Sequence, residues 1–182
     1  MDKTRNPTLR IGDRVKRLEY FTDQILKRAD DLEERVANYL TSQQVNYKWS
    51  KRDNGNRGID FIISTVVDVM YMDAIAQGVN GSIIEKLPTK CYKYIIKYGL
   101  IGKDIYMLLP YCNVNQIVAD HLELLEKALN CNIHILDWND FTYLINGGTY
   151  TTRKPYVVGK AGVARKTPNN MILNKFFKNN KS

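Results

Sequence analysis

The sequence predicts a three-layer α/β fold in which helices flank a mixed central sheet. The prediction depends on long segments with helical apolar spacing, short runs with strand character, and the order in which they alternate. The chain has 182 residues, 44% of them hydrophobic and 25% charged, which is typical of one folded domain. This composition argues against a disordered chain.

The first half of the chain is predicted to form one long helix and then three antiparallel strands. Apolar residues recur at steps of three and four from about Val15 to Leu40, the spacing of an amphipathic helix. VNYKWS and GIDFIIS have strand character and are separated by the turn pair Asn54-Gly55. VMYMDAIAQ follows as a third strand, so the three runs should pair as a meander.

Two further helices alternate with two strands in the second half. GSIIEKLPTKCYKYIIKYG is predicted to be helical, with Gly99 ending the helix. Two starts of this helix are possible. Ser82 and Glu85 would form a capping box, but Pro88 would then lie past the first turn and remove a hydrogen bond, so the regular helix can instead begin at Pro88. DIYMLLPY and NIHILDWNDF are predicted as buried strands, and FTYLI as a helical turn.

The helix between these two strands has a predicted start and a predicted inner face. Asn113 and Gln116 fit a capping box at its N-terminus. Its apolar stripe is predicted to include Val114, Ile117, Val118, His121, Leu122, Leu125 and Leu129.

Cysteine and histidine usage argues against a disulfide scaffold and a zinc finger. Cys91, Cys112 and Cys131 are odd in number and widely separated, and with His121 and His134 they make no zinc spacing. We expect reduced, buried thiols. No apolar run approaches the roughly 20 residues of a membrane span, and no signal segment opens the chain, so the expected location is cytoplasmic.

The formal charge of +8 is concentrated at the C-terminal end of the chain. Residues 147–182 contain eight Lys or Arg and no Asp or Glu, whereas residues 1–146 carry equal numbers of basic and acidic residues. We therefore expect a core domain over 1–146 and a basic segment, part of the same domain, that contacts DNA phosphates. A solvated tail that aids solubility is the alternative. The predicted DNA contacts are Lys51, Arg52, Arg57, Lys86, Arg153, Lys154, Lys160, Arg165 and Lys166.

Two aspartates fall inside neighbouring apolar strands. Asp60 lies in GIDFIIS and Asp73 in the next strand, where burial of a carboxylate is unfavourable without a cation. Pairing of the strands would bring them together, and a divalent cation would relieve their repulsion. Oxygen ligands favour magnesium or manganese over zinc. The alternative is that one aspartate caps a turn or pairs with Arg57.

A third acid can come from the long helix. At about 100° per residue, Glu33 borders the apolar stripe and can face the sheet, whereas Glu34 points away from it. The alternative is that both belong to the solvated surface DDLEER.

Four motifs in order resemble a known family. LEERVANYL, RGIDFIIS, YMDAIAQGVNGSIIEKLPTK and IYMLLPY, spread over about residues 29–138, resemble the core of restriction-endonuclease-like members of the PD-(D/E)xK nuclease superfamily. The members of that group carry, in order, a helix glutamate, an aspartate that opens a strand, a strand with the pattern acid-any-lysine followed by a glutamine, and a GS-x-x-EKLP-type helix start. Asp60 and Asp73 are 13 residues apart, which agrees with the family.

The resemblance implies a restriction-endonuclease-like core and a role for each matched residue. Asp60 and Asp73 match the metal-binding acids, with the carbonyl of Ala74 as a further ligand. Glu33 matches the helix acid that assists through water. Gln77 matches the family glutamine.

Ile75 occupies the position of the family's catalytic lysine, which orients the attacking water and offsets phosphate charge. Isoleucine can do neither. Three explanations are open: Lys86 or Lys90 reaches in from the adjacent helix, the residue was changed to inactivate the protein, or the chain is a natural relative without nuclease activity.

The expected function is a magnesium- or manganese-dependent DNA endonuclease of the restriction type. Double-stranded DNA is the expected partner, and symmetric cleavage of both strands would require a homodimer. The alternatives are a junction-resolving or mobile-element nuclease of the same fold, a DNA-binding protein without catalysis, and a generic α/β protein that binds RNA.

Overall fold

The computed structural model describes residues 29–50, 58–76 and 86–159, which form an α/β fold with a five-stranded mixed sheet and four helices. No helix within these ranges has the length and apolarity needed to cross a membrane. The elements are α1 (29–42), β1 (Asn46–Trp49), β2 (Phe61–Ser64), β3 (Val69–Ala74), α2 (Leu87–Lys97), β4 (Asp104–Leu108), α3 (Gln116–Leu129), β5 (Asn132–Leu136) and α4 (Trp138–Ile145).

The sheet has the order β1-β2-β3-β4-β5. The first three strands are antiparallel, which confirms the predicted meander, and β3, β4 and β5 are parallel. In a parallel set, the carboxyl ends of the strands lie at one edge, and the helices that follow begin there. We call this the carboxyl edge; the ends of β3, β4 and β5 and the starts of α2, α3 and α4 lie there.

Side chains of each strand alternate between two apolar clusters, one on each face of the sheet. Met70, Met72 and Ala74 of β3 pack with residues of α1 and α4, whereas Tyr71 and Ile75 pack with residues of α2 and α3. This period of two is what an extended strand imposes. Helices therefore lie on both faces, in agreement with the predicted three layers.

The helix starts show where the local predictions were right and wrong. α2 begins at Leu87 with Pro88 in its first turn, close to the predicted start at Pro88, and Gly99 follows its end with a φ of 61°. The predicted capping box of Asn113 was wrong, because the Asn115 side chain accepts the N–H of Val118 at 2.8 Å instead.

Three further expectations need a correction or an outcome. The Ile117 side chain is 66% exposed and His121 is also exposed, so neither belongs to the inner face of α3. The predicted helical turn FTYLI belongs to α4, which Asp137 begins with a capping box. The three cysteines are free and buried, as expected. The part of the predicted first helix before residue 29 lies outside the described residues.

The chain after α4 packs on the domain as far as Gly159. Tyr150 contacts one apolar cluster and Tyr156 the other. Ile133 of the edge strand β5 donates its N–H to Glu126 Oε1 at 2.7 Å, and its carbonyl accepts the Tyr156 hydroxyl at 3.2 Å. Segment 147–159 thus covers part of the outer edge of β5.

Candidate metal and catalytic site

Asp60 and Asp73 meet where β2 begins and β3 ends. Asp60 directly precedes Phe61, which pairs with Met72, so the antiparallel register brings Asp60 beside the end of β3. Its Oδ2 accepts the N–H of Ala74 at 2.8 Å. The structure thus brings together the two carboxylates that the sequence analysis singled out.

Asp73 is fully buried and is held by two side chains of α2. The ammonium of Lys90 forms an ion pair with Oδ2, and the hydroxyl of Tyr94 donates to Oδ1 at 3.2 Å. Lys90 and Tyr94 are four residues apart, so both project from one side of the helix. Each oxygen of the carboxylate therefore has its own donor, which fixes its orientation.

Glu33 faces the sheet and Glu34 is exposed, as their helical positions predict. The indole N–H of Trp49, at the end of β1, donates to Glu33 Oε2 at 3.2 Å. The Trp49 ring also stacks on the ring of Phe61, the residue that follows Asp60, with 5.8 Å between the ring centroids. Glu33 thus approaches the site from the α1 face.

Burial and the proximity of other carboxylates both make ionisation of Asp60 unfavourable. Burial raises the pKa of Asp60 to about 9, and the charges of Asp73 and Glu33 add to this rise. The N–H of Ala74 and the ammonium of Lys90 oppose it but do not cancel it. Among the described residues, the site therefore contains three carboxylates and one ammonium.

The cation at this site comes from Lys90 of α2 and not from position 75 of the chain. Ile75 is 4% exposed and packs in the apolar cluster beside Leu87 and Cys91, so its side chain offers no group to the site. Lys90 supplies the ammonium from the adjacent helix, which agrees with one of the explanations left open by the sequence. Lys86 is exposed at the start of α2.

Sequence reasoning missed Tyr94 and Trp49. Burial, together with the charge of Asp73, raises the pKa of the Tyr94 hydroxyl, which keeps it a donor. Its spacing of four residues from Lys90 was the only available signal. Nothing in the local pattern connects Trp49 with Glu33, because 16 residues separate them.

Two of the predicted DNA contacts make ion pairs within the domain. Arg153 Nε lies 2.7 Å from Glu126 Oε1, and its guanidinium covers the Tyr156 ring at 3.8 Å. Lys154 pairs with Asp140. The remaining predicted site residues, Gln77, Lys51, Arg52, Arg57, Lys160, Arg165 and Lys166, lie outside the described residues.

The donors of the site suit a hard divalent cation. Asp60 and Asp73 offer carboxylate oxygens at one place, and the local surplus of negative charge is of the kind that such a cation offsets. Among the side chains that the structure describes, no three His, Cys, Asp or Glu form a metal-binding group.

Comparisons of the chain with models of known protein families, with curated proteins and with solved structures found no match. The functional interpretation therefore depends on the chemistry of the site. Its components are paired carboxylates, a helix glutamate, one ammonium and one phenol at the junction of β2, β3 and α2.

Proposed function

We propose that the protein is a metal-dependent DNA endonuclease of the restriction-endonuclease-like group, in which Lys90 replaces the missing strand lysine. The single observation that carries the proposal is the meeting of Asp60 and Asp73 with the Lys90 ammonium on the second carboxylate. Buried acids beside one lysine are the groups that phosphodiester hydrolysis requires.

Asp60 and Asp73 would hold magnesium or manganese, with the carbonyl of Ala74 as a third ligand. When bound, the ion supplies positive charge to the phosphate and lowers the pKa of a coordinated water. Tyr94 keeps the Asp73 carboxylate in one orientation through its hydrogen bond. Glu33, held by Trp49, would orient a water on the α1 side.

Lys90 has two tasks in this proposal. Its ammonium neutralises part of the charge of Asp73, and it provides a donor beside the position where a phosphate would approach. Hydrolysis adds water across the P–O3′ bond, and the pentavalent transition state carries extra negative charge that a fixed ammonium stabilises. Ile75 therefore need not be a lysine.

Cleavage of supercoiled plasmid with magnesium tests the proposal. Asp60→Asn and Lys90→Gln should each lower the cleavage rate by about 100-fold or more, because each removes a charge used in the transition state. Lys127→Gln on α3 removes one exposed lysine far from the site and should leave the rate unchanged. Lys90→Arg keeps a cation on Asp73 and controls for loss of folding.

Ile75→Lys distinguishes this proposal from a nuclease disabled at position 75. The new ammonium would lie in the apolar cluster, so we expect a loss of about 3 kcal/mol in unfolding free energy and no gain in cleavage. If Ile75→Lys gained cleavage while Lys90→Gln changed nothing, the role of Lys90 would be rejected.

The second candidate is a DNA-binding protein that keeps the fold without catalysis. The burial of Ile75 at the lysine position favours it. Folded protein that binds duplex DNA but leaves plasmid intact with magnesium and with manganese, in the wild type and in Ile75→Lys, would establish this candidate instead.

A further inference from the structure

Four lysines lie along one flank of α2, and only one of them belongs to the site. Lys86 is the N-cap residue, and Lys90, Lys93 and Lys97 follow it within a stretch that contains no Asp or Glu. With about 3.6 residues per turn, positions 86, 90, 93 and 97 share one flank of the helix. We call these four residues the lysine flank.

The direction of this flank is fixed by the contacts of α2. Leu87, Cys91, Tyr94 and Ile95 are its buried residues, and Lys90 and Tyr94 both reach Asp73. The lysine flank therefore borders the buried face on the side of the carboxylates. Tyr92 and Ile96, which are 49% and 48% exposed, lie on the opposite side.

The far end of the flank lies beside the segment that leads into β2. Lys97 Nζ lies 3.9 Å from the position of a Cβ on Gly58, and the Tyr98 hydroxyl accepts the N–H of Ile59 at 3.0 Å. Asp60 follows Ile59 directly. The flank thus runs from the start of α2, past Asp73, to the chain just before Asp60.

Helix stability does not account for the lysines at the start of α2. Positive charge near a helix N-terminus is unfavourable with the helix dipole, yet Lys86 and Lys90 lie there and the first turn has no acidic residue. Lys97 alone lies in the last turn, where the dipole favours a cation. Lys86, Lys93 and Lys97 form no ion pair with any carboxylate of the described residues.

We propose that the lysine flank of α2 binds successive phosphates of the DNA strand whose backbone is cleaved at Asp60 and Asp73. The inference rests on the proposed function and extends it by defining the path of the substrate strand. The flank is about 16 Å long at about 1.5 Å per residue.

DNA binding by the full chain with Asp60→Asn, which prevents cleavage, tests the flank. Fluorescence anisotropy of a labelled duplex, measured over a series of salt concentrations, gives affinity and salt slope. Lys93→Gln and Lys97→Gln should each reduce the slope by about 0.9, because each removes one phosphate contact, and should weaken binding about five- to tenfold. The same charge change in Lys127→Gln on α3 should leave both quantities unchanged.

Three outcomes of this experiment would change the proposal or the function on which it rests. Equal behaviour of Lys93→Gln, Lys97→Gln and Lys127→Gln would overturn the flank, even where the wild type cleaves plasmid. If the lysine substitutions weakened DNA binding but the wild-type protein never cleaved DNA, the lysine flank would be supported as a DNA-binding surface and the proposed nuclease activity would be rejected. If these substitutions reduced binding to phosphatidylserine vesicles but not to duplex, the partner would be a membrane and the proposal would be overturned.

Discussion

The chain carries two basic regions whose charges are used differently. In the C-terminal region, Arg153 pairs with Glu126 and Lys154 with Asp140. In α2, Lys93 and Lys97 have no described carboxylate partner and lie on the flank that reaches Asp73. The charge count along the sequence points to the first region, of which the structure describes only Arg153 and Lys154, whereas the geometry of the described residues points to the second.

Whether a cation can bind phosphate depends more on whether it already pairs with a carboxylate than on the local excess of positive charge. A lysine that already has a carboxylate must give it up before it can bind a phosphate, and part of the binding energy is lost in that exchange. A lysine without a partner makes no such exchange. Arg153 and Lys154 therefore hold segment 147–159 on the domain, whereas Lys93 and Lys97 of α2 have no carboxylate to give up among the described residues.

The carboxylates beside the two basic regions also differ, because the pKa of Asp60 is raised and that of Asp140 is lowered. Asp60 has a folded pKa of about 9 against an ordinary value of 3.8, so its ionisation lowers stability as pH rises through that interval. Burial also acts on Asp140, but the hydrogen bonds from Lys154 and Tyr150 outweigh it and lower its pKa. Asp140 thus stabilises the fold above its ordinary pKa, and this contribution disappears as pH falls through its folded pKa.

Urea unfolding without metal, at pH 4 and at pH 8, tests this opposition. Asp60→Asn should raise the unfolding free energy at pH 8 by about 1–2 kcal/mol and change it little at pH 4. Asp140→Asn should lower it at pH 8 by about 1 kcal/mol. If both substitutions shifted stability in the same direction at pH 8, the assigned difference between the two regions would be wrong.

A smaller effect separates a cation that is paired within the domain from one that has no carboxylate partner among the described residues. Arg153→Gln should lower the unfolding free energy by about 1 kcal/mol, because Arg153 is mostly buried against Glu126 and covers Tyr156. Lys93→Gln should change it by less than about 0.5 kcal/mol. Thermal unfolding of both variants beside the wild type measures this, and equal losses would break the distinction.

The smallest expected effect is on DNA affinity. Lys154→Gln should change the affinity for duplex by less than about twofold, since its ammonium already pairs with Asp140. Lys97→Gln is the matched variant, with one charge removed from an exposed helix position. An anisotropy titration that ranked Lys154 above Lys97 would return the binding surface to the C-terminal region.

Much of the fold could be predicted from local patterns. The pairing of neighbouring strands was sufficient to bring Asp60 to the end of β3, where Asp73 lies. Helical spacing also separated Glu33 from Glu34. These features depend on residues near in sequence or on a single hairpin register.

What could not be predicted depends on contacts between distant elements. The choice between Lys86 and Lys90 was set by how α2 lies on β3, and that packing was not encoded in the spacing. Asn115 rather than Asn113 caps α3 where Val114 forms a bridge with Val158, 44 residues later. The ion pairs of Arg153 and Lys154 could not be predicted, because their acidic partners, Glu126 and Asp140, lie on α3 and α4, well before them in the chain.

The outer edge of β5 has a consequence for solubility. An exposed strand edge with unsatisfied N–H and carbonyl groups is a template on which a second chain can add a strand. At Ile133 both groups already bond side chains, Glu126 and Tyr156, and Arg153 links these two. By covering this edge, segment 147–159 hinders a second chain from adding a strand there and so opposes aggregation.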